Sequence, residues 1–311
     1  MIAKEILWSQ KYRPQTISEI VLPDRLKTYF QSIVNSKEIP SLLLHGPAGS
    51  GKNCVSYALV NQVNCDWIEI NGSDNNGVDT VRTTIKNYAT SLSLKGGRKV
   101  IIISEADYFT INGFAMLRAI QEEVSENCSF IYNCNYKDRI IPAIHSRCSV
   151  IDFTLRNSEK PKIAKDFFNR VKYILDSEHI SYDNKVVIEV IKKYFPDFRR
   201  TINELQRYSK FGSIDSGILG QLETTSIIQV IKYMKEKDFQ SIRKWAATGD
   251  YDSDTIFTQL YESLYDFLEP SSIPQAVLIL AEYGYKASRV TNQEINLVAC
   301  LVQMMIDLEF K

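Results

Sequence analysis

Short apolar runs alternate with helical patterns in the first half of this sequence. Between about residue 40 and residue 155, five such runs are rich in β-branched side chains and have polar flanks, as buried strands of a parallel sheet do. Helical patterns separate the runs, so a doubly wound α/β domain is predicted. The runs occupy residues 41–45, 66–70, 99–103, 128–132 and 149–153.

After about residue 157 the apolar positions recur only at helical spacing. Three stripes, Ile163–Leu175, Val187–Tyr194 and Phe198–Tyr208, predict three helices of a small domain. Pro196 and Asp197 stand where the third of these helices would begin.

The helical pattern continues to the C-terminus, with apolar stripes at Ile256/Leu260/Leu264/Phe267 and at Val277/Leu280/Ala281. Together the patterns predict three domains. These are an α/β domain over residues 1–155, a small helical domain over residues 156–218 and an all-helical domain over residues 219–311.

The charges of the chain balance. Its 311 residues include 37 Lys and Arg against 37 Asp and Glu, so the formal net charge is zero. A protein that wraps nucleic acid by itself is usually basic. Any contact with DNA is therefore expected to use a local patch, as one part of an assembly.

Cysteine usage and apolar stretches indicate the compartment. The six cysteines show no C-x-x-C spacing, which favours free thiols in a reducing compartment over a structural zinc site. The N-terminal segment has no apolar signal core, and the longest apolar stretch, Leu297–Ile306, is too short to span a bilayer. We expect a cytoplasmic protein with no membrane partner.

A glycine-rich loop follows the first predicted strand and precedes a helical segment, the context that a phosphate-binding loop requires. Its glycines let successive backbone N–H groups point at phosphates, the helix N-terminus adds its dipole, and Lys52 supplies a charge for the β and γ oxygens. A glycine-rich turn with an incidental lysine is the alternative. The predicted nucleotide-binding residues here are Gly46, Pro47, Ala48, Gly49, Ser50, Gly51, Lys52, Asn53 and Cys54.

Four segments are similar to those of a known family. They are Trp8-Ser-Gln-Lys-Tyr-Arg-Pro14, Asn71-Gly-Ser-Asp74, Ser146-Arg147-Cys148 and Phe195-Pro-Asp-Phe-Arg199-Arg200-Thr-Ile-Asn-Glu-Leu205. Through them the chain resembles replication-factor-C-type clamp loaders, and along its whole length it resembles the large clamp-loader subunits of T-even-type bacteriophages. The resemblance implies an AAA+ P-loop domain, a helical lid domain and a C-terminal helical collar.

The resemblance also implies ATP and Mg²⁺ as cofactors, and it assigns roles within the site. Glu105 would activate the attacking water. Asn135, at the end of the fourth strand, would be the first sensor and position that water; an ordinary strand-end turn residue is the alternative. The residues implied to lie near the adenine and the ribose are Tyr12, Arg13 and Pro14.

Two arginines receive implied roles at a distance from the loop. Arg199 would be the second sensor, which reaches from the lid domain to the nucleotide and reports its presence. Arg147 would be an arginine finger that enters the site of a neighbouring subunit, where it stabilises charge on the γ-phosphate. For a single arginine such as Arg147, a solvated surface charge is the alternative.

Two positions depart from the family pattern. Asn53 stands where Ser or Thr usually ligates Mg²⁺, and Ser104 stands before Glu105 where Asp usually organises the metal shell. No residue is therefore a certain metal ligand, and Mg²⁺ near Asn53 and Ser104 would be held only through the nucleotide. Nucleotide binding should survive these changes, and either active or weak hydrolysis is compatible with them.

The resemblance implies several macromolecular partners: other copies of this chain, a different small clamp-loader subunit, a ring-shaped sliding clamp and primer–template DNA. The DNA would be gripped through its phosphates, with Arg82, Lys95 and Arg98 as candidates; a solvated face is the alternative for each. The helix over residues 112–123 would face the clamp with Phe114, Met116 and Leu117, or would bury them in the core.

Three hypotheses follow. The first is an ATPase subunit that opens a DNA-polymerase processivity clamp and loads it onto primer–template DNA, with hydrolysis triggering release. The second is a nucleotide-binding but hydrolysis-deficient structural subunit, which Asn53 and Ser104 favour. The third is another AAA+ remodeller, such as a helicase loader or a branch-migration motor, against which the Lys-Tyr-Arg-Pro and Ser-Arg-Cys segments argue.

Overall fold

The computed structural model describes residues 7–73, 78–210, 212–215, 227–248, 253–287 and 289–311. The chain divides into two compact units, of which the first ends at Ile214 and the second begins at Asp215. The expected boundary between residues 155 and 156 falls inside the first unit. The one between residues 218 and 219, like Asp74 of the family segment, lies outside the described residues.

A five-stranded parallel sheet forms the centre of the first unit, in the order β2-β3-β4-β1-β5. Each strand coincides with one of the predicted apolar runs, so the α/β prediction is confirmed. The loops that follow β1, β3 and β4 meet at the C-terminal edge, where open parallel sheets bind ligands. The strands are β1 (Leu42–His45), β2 (Trp67–Asn71), β3 (Lys99–Ser104), β4 (Cys128–Cys134) and β5 (Ser149–Asp152).

Helices connect the strands and complete the first unit. Short 3₁₀ turns follow β3 at Ala106–Tyr108 and β4 at Lys137–Arg139. The helices are α1 (Trp8–Lys11), α2 (Asp24–Ser36), α3 (Lys52–Val63), α4 (Val78–Thr90), α5 (Ile111–Glu123), α6 (Pro142–His145), α7 (Lys160–Ser177), α8 (Asn184–Tyr194) and α9 (Phe198–Ser209).

The side chains of β1 point alternately to the two faces of the sheet. Leu42 and Leu44 pack with α2 and α3 on one face, and Leu43 packs with α5 on the other. Phe114 and Leu117 of α5 are 1% and 0% exposed in this second cluster. The core alternative for these two side chains is therefore correct, and they are not available to a clamp.

The lid helices α7, α8 and α9 coincide with the three predicted stripes, so the small helical domain is confirmed as part of the fold. Asp197 is the N-cap of α9, and its carboxylate accepts the N–H of Arg200 at 2.9 Å. The side chains that these helices bury include Ile163, Phe167, Val171, Val187, Val190, Leu205 and Tyr208.

The second unit is helical, as predicted, and its core includes Ile256, Leu260 and Leu264. One predicted stripe is wrong by one residue. Val277 and Ala281 are exposed, whereas the helix buries Ala276, Ile279, Leu280 and Ala287. Residues 276–281 are all apolar, so periodicity alone does not fix the buried face. The helices are α10 (Ile227–Glu236), α11 (Phe239–Thr248), α12 (Ser253–Phe267), α13 (Ile273–Ala287) and α14 (Gln293–Asp307).

Within the described residues, no helix combines the length and the apolar character that crossing a membrane requires.

Candidate nucleotide-binding site

The glycine-rich loop joins β1 to α3, and Lys52 is the first residue of that helix. The first backbone N–H groups of a helix have no carbonyl partner within it, so they remain available to an anion. Gly51 has a φ of 93°, a left-handed conformation that a residue with a side chain adopts only with strain. This turn leads the loop directly into the start of α3.

The ammonium group of Lys52 is buried behind the loop. Its Nζ donates to the carbonyl oxygens of Gly46 at 2.7 Å and Pro47 at 2.9 Å, and to Oδ1 of Asn135 at 2.9 Å. Burial lowers the pKa of Lys52 to about 8, and the negative charge of nearby Asp107 partly opposes that change. A triphosphate bound by the loop would therefore lie beside a positive charge that is already in place.

The position of Asn135 is fixed by Asp107, an acid to which the family resemblance assigned no role. Oδ2 of Asp107, in the 3₁₀ turn after β3, accepts the backbone N–H of Asn135 at 3.1 Å and that of Tyr136 at 3.2 Å. Asp107 is only 6% exposed, and its Oδ1 has no hydrogen-bond partner among the described residues. The end of β4 is therefore held against the turn that follows β3.

An acid at position 104 would organise the metal shell, but the Ser104 side chain is hydrogen-bonded within the sheet. Its hydroxyl donates to Glu69 of β2, which also accepts the hydroxyl of Tyr57 at 2.7 Å. Ser104 is 4% exposed. Glu105, by contrast, is exposed, and its φ of 52° places a residue with a side chain in the left-handed region. Such local strain is often found at functional sites.

The lid domain closes over the loop. A Cβ added at Gly49 would lie 1.8 Å from Oδ1 of Asp197, so the start of α9 sits directly on the loop. Arg199, two residues later, projects into the same cleft and opposes the protonation of Lys52, although burial has the larger effect on that pKa. The implied second sensor thus lies beside the phosphate loop within one compact unit.

The N-terminal segment is tied to the lid as well. The backbone N–H of Trp8 donates to Gln206 of α9 at 2.8 Å, and the Tyr12 hydroxyl donates to Glu178 at 2.6 Å. Arg170 of α7 donates to the carbonyl oxygen of Tyr12 at 2.9 Å. These bonds hold the segment of residues 12–14 across the mouth of the site.

One cleft brings most of the expected nucleotide-binding residues together. Its volume is about 230 Å³, against about 10 Å³ for a neighbouring cavity under Pro47, which is too small for a ligand. The carbonyls of Gly46 and Pro47 accept from Lys52, but neither residue lines the cleft. The predicted residues that do line it are Tyr12, Arg13, Pro14, Ala48, Gly49, Ser50, Gly51, Lys52, Asn53, Cys54, Glu105, Asn135 and Arg199.

The donor set of this cleft fits Mg²⁺. The ion prefers oxygen ligands, keeps several of its own waters and is usually bound through one or two carboxylates together with substrate phosphates. Asn53 and Asp107 both line the cleft, and Oδ1 of Asp107 is a buried carboxylate oxygen without a hydrogen-bond partner in the described part of the chain. Among the described residues, no cluster of three His, Cys, Asp or Glu side chains is arranged to hold a metal by itself.

Arg147 lies outside the cleft of its own chain. Its guanidinium donates to the carbonyl oxygen of Ala143 at 2.7 Å and to the hydroxyl of Ser146 at 3.2 Å, and it forms an ion pair with Glu122. The side chain is about one-third exposed. Arg147 is not among the described residues that line the cleft, and its implied action on a neighbouring subunit stays a prediction.

The three candidate DNA-binding residues differ in what they contact. Arg98 donates to the carbonyl oxygens of Ser125 and Cys128, and Lys95 donates to the carbonyl oxygen of Cys65 at 3.4 Å. Arg82, on α4, is exposed. The bonds of Arg98 serve the fold, which makes Arg82 the stronger candidate; none of the three is tested by its geometry alone.

Sequence reasoning missed several residues of the cleft. Asp107 received no role from the sequence, although an acid two residues after Glu105 is a visible signal. Asn133 of β4, whose side chain exchanges hydrogen bonds with the buried Ser56 of α3, and Arg170 of the lid also line the cleft. Nothing in their local sequence distinguishes these three from ordinary polar residues.

Comparisons with known proteins agree with this architecture. Residues 42–155 match the family of ATPases associated with various cellular activities, and residues 159–220 match the AAA+ ATPase lid domain of the sliding-clamp-loader large subunit. The chain is 37% identical to the sliding-clamp-loader large subunit of Enterobacteria phage T4, over 99% of this chain and 98% of that protein. It is also 31% identical to the replication factor C small subunit of Saccharolobus solfataricus, over 97% and 95% of the two chains.

Solved structures show the same fold at lower identity. The Holliday junction branch migration motor RuvB of Thermotoga maritima superposes with a TM-score of 0.56 over 80% of this chain and 85% of that one, at 15% identity. A likeness at this identity shows the fold alone. Sequence identity over nearly the whole length decides the family, and on that basis this chain belongs to the AAA+ sliding-clamp-loader large subunits.

Proposed function

We propose that this chain is the ATP-hydrolysing subunit of a clamp loader, which opens a ring-shaped polymerase clamp, places it on primer–template DNA and releases it when ATP is cleaved. The observation that carries the proposal is the cleft itself. There the phosphate loop, the end of β4 and the lid meet around Lys52, Asn135 and Arg199 within one compact unit.

Different residues of the cleft bind the phosphates, contact the base and the ribose, and activate the attacking water. The free N–H groups at the start of α3 and the ammonium of Lys52 bind the phosphates. Tyr12, Arg13 and Pro14 close over the base and the ribose, because their segment is hydrogen-bonded to the lid. Glu105 accepts a proton from the attacking water, and Asn135 orients that water. Mg²⁺, when bound with ATP, neutralises charge on the β and γ phosphates.

The lid converts nucleotide binding into movement. Asp197 touches the loop at Gly49, and Arg199, in the first turn of α9, projects into the cleft. A triphosphate bound in the cleft attracts the N-terminus of α9 and the guanidinium of Arg199 towards its oxygens. This attraction fixes the lid as a rigid body. Binding of ATP thereby sets the position of everything that is attached to the lid.

Arg147 makes hydrolysis depend on assembly. It does not reach the cleft of its own chain, and it lies exposed after α6 on the family segment Ser146-Arg147-Cys148. In a ring or spiral of copies it would enter the neighbour's cleft and stabilise the transition-state charge. The partners that this function requires are further copies of the chain, a distinct small subunit, the sliding clamp and primed DNA.

One observation favours a second function, that of a nucleotide-binding subunit with little hydrolysis. The Ser104 hydroxyl is committed to Glu69, so it cannot replace the aspartate that usually organises the metal shell. In this case ATP binding alone would drive clamp opening, and Arg147 would serve a neighbour of a different kind.

Steady-state ATP turnover separates the two functions. The chain assembled with its small subunit is measured with and without clamp and primed DNA. Stimulation by both ligands supports the ATPase. Turnover at background under all conditions removes it, and recovery in the double variant Asn53→Thr, Ser104→Asp would identify these two positions as the cause. Failure of the purified chain to retain labelled ATP would remove both functions.

A further inference from the structure

We propose that Asp107 takes the role of the acid that is missing at position 104 in this chain. Its carboxylate would accept a hydrogen bond from a water of the nucleotide-bound Mg²⁺. The inference rests on the proposed ATP-binding function and names a residue of that same cleft. The position that normally carries the metal-organising acid holds a neutral serine, yet the site must still accommodate a dication.

The Ser104 side chain is unsuited to this task. Its hydroxyl proton is donated to Glu69 on the neighbouring strand, and Glu69 is held on its other oxygen by Tyr57. Ser104 is 4% exposed and is absent from the described residues that line the cleft. It therefore belongs to a hydrogen-bonded group between β2, β3 and α3, which joins these elements behind the site.

Asp107 has the properties that Ser104 lacks. It lines the cleft together with Lys52, Asn135 and Glu105. Its carboxylate is anchored by one oxygen only, since Oδ2 accepts two backbone N–H groups at the end of β4. Oδ1 is buried and has no hydrogen-bond partner within the described part of the chain.

A buried carboxylate oxygen without a donor is costly, and proteins rarely keep one unless a ligand supplies the missing partner. Mg²⁺ bound to a nucleotide keeps several waters, whose protons are strong donors to a carboxylate. Asp107 can accept from such a water through Oδ1 without releasing the two N–H groups on Oδ2. In doing so it would connect the metal shell directly to the backbone of Asn135, the implied first sensor.

The test uses Asp107→Asn in the full-length chain. The amide oxygen of asparagine still accepts the two N–H groups of Asn135 and Tyr136, while its NH₂ group replaces Oδ1 with a donor. A merely structural role would therefore survive this change. The measured quantity is the Kd for ATP in EDTA divided by the Kd in Mg²⁺, together with the affinity for Mn²⁺ followed by electron paramagnetic resonance of the ATP complex.

We expect Asp107→Asn to lower the Kd ratio about tenfold and to weaken Mn²⁺ binding to the same extent, while it still binds ATP in EDTA. Ser104→Ala and the exposed charge control Asp138→Asn should keep the wild-type ratio. An unchanged ratio in Asp107→Asn, or an equal fall in Ser104→Ala, overturns the inference. If the wild type binds no ATP in either condition, the proposed function itself fails and the inference with it.

Discussion

The ammonium nitrogen of Lys52 lies 2.9 Å from Oδ1 of Asn135, so the phosphate loop and the end of β4 are joined by a direct hydrogen bond. Asp107 extends the connection, because it accepts the backbone N–H of the same Asn135. Loops that follow three different strands, β1, β3 and β4, therefore share one network. Because of these hydrogen bonds, a shift of any one of the three loops should alter the positions of the other two.

The pKa of Lys52 predicts how ATP affinity depends on pH. Burial lowers this pKa to about 8, so the free protein loses the charge of Lys52 above that pH, whereas bound phosphate restores it. Binding should therefore take up a proton above pH 8, and affinity should be constant below pH 8 and fall by up to about tenfold per pH unit above it. Calorimetric titration at pH 9 in two buffers of different ionisation enthalpy measures the proton uptake.

Lys52→Arg is the control for this prediction. A guanidinium stays charged throughout this range, so ATP binding by the variant should take up no proton through residue 52. Equal proton uptake by the variant and the wild type would assign the effect to another group.

Gly49 predicts a link between the loop and the lid. Gly49 and Gly96 both have left-handed backbones, with φ of 71° and 77°. A Cβ at Gly49 would lie 1.8 Å from the Asp197 carboxylate, whereas a Cβ at Gly96 would meet no atom of the described residues within 4 Å. Gly96→Ala should lower the free energy of unfolding by about 1–2 kcal/mol through backbone strain alone. Gly49→Ala should cost more, and it should also weaken ATP binding because α9 is displaced.

Chemical denaturation and equilibrium ATP binding of the two variants provide the comparison. Equal losses of stability with equal ATP affinity would show that the contact between Gly49 and Asp197 is unimportant.

Arg147 predicts an effect that appears only in the assembled loader. Arg147→Ala should leave ATP binding by the isolated chain unchanged, since the side chain does not line that cleft. Clamp- and DNA-stimulated turnover of the assembly should fall by about a thousandfold, as expected for removal of an arginine finger. Arg139→Ala is the matched control, because Arg139 is also exposed and its guanidinium lies over the ring of its neighbour Tyr136.

A loader carrying Arg147→Ala that retains full stimulated turnover would show that the charge acts only within its own chain, through the ion pair with Glu122.

Two substitutions in α5 are expected to have unequal effects on stability. Phe114 is 1% exposed and Ile111, three residues earlier, is 79% exposed. Phe114→Ala should lower the free energy of unfolding by about 3–5 kcal/mol, because it leaves a cavity in the sheet–helix core. Ile111→Ala should change it by no more than about 0.5 kcal/mol. Urea denaturation of the two variants checks this, and similar losses would place Phe114 outside the core.

Local sequence predicted the strands and most helices because their signals are short-range. Runs such as residues 99–103 have the length and β-branched content of buried strands, and Pro196 and Asp197 mark the start of α9 through capping chemistry. The phase of α13 was wrong because residues 276–281 are apolar throughout. There only the neighbouring helices determine which side of α13 is buried.

Within the candidate site, spacing alone predicted the loop from Gly46 to Cys54, since a phosphate-binding turn is made by consecutive residues. It did not identify the role of Asp107, whose partners Asn135 and Tyr136 are distant in sequence. Nor did it show that Ser104 is bonded to Glu69, a contact between neighbouring strands.

The sequence by itself determined the fold class and the family and predicted the phosphate loop, because each depends on periodicity, on adjacent residues or on resemblance along the chain. The tertiary structure decided which side chains share the cleft and which acid carries an unpartnered oxygen. Those properties depend on distances between residues from separate strands and from the lid, and such distances are set only when the chain packs.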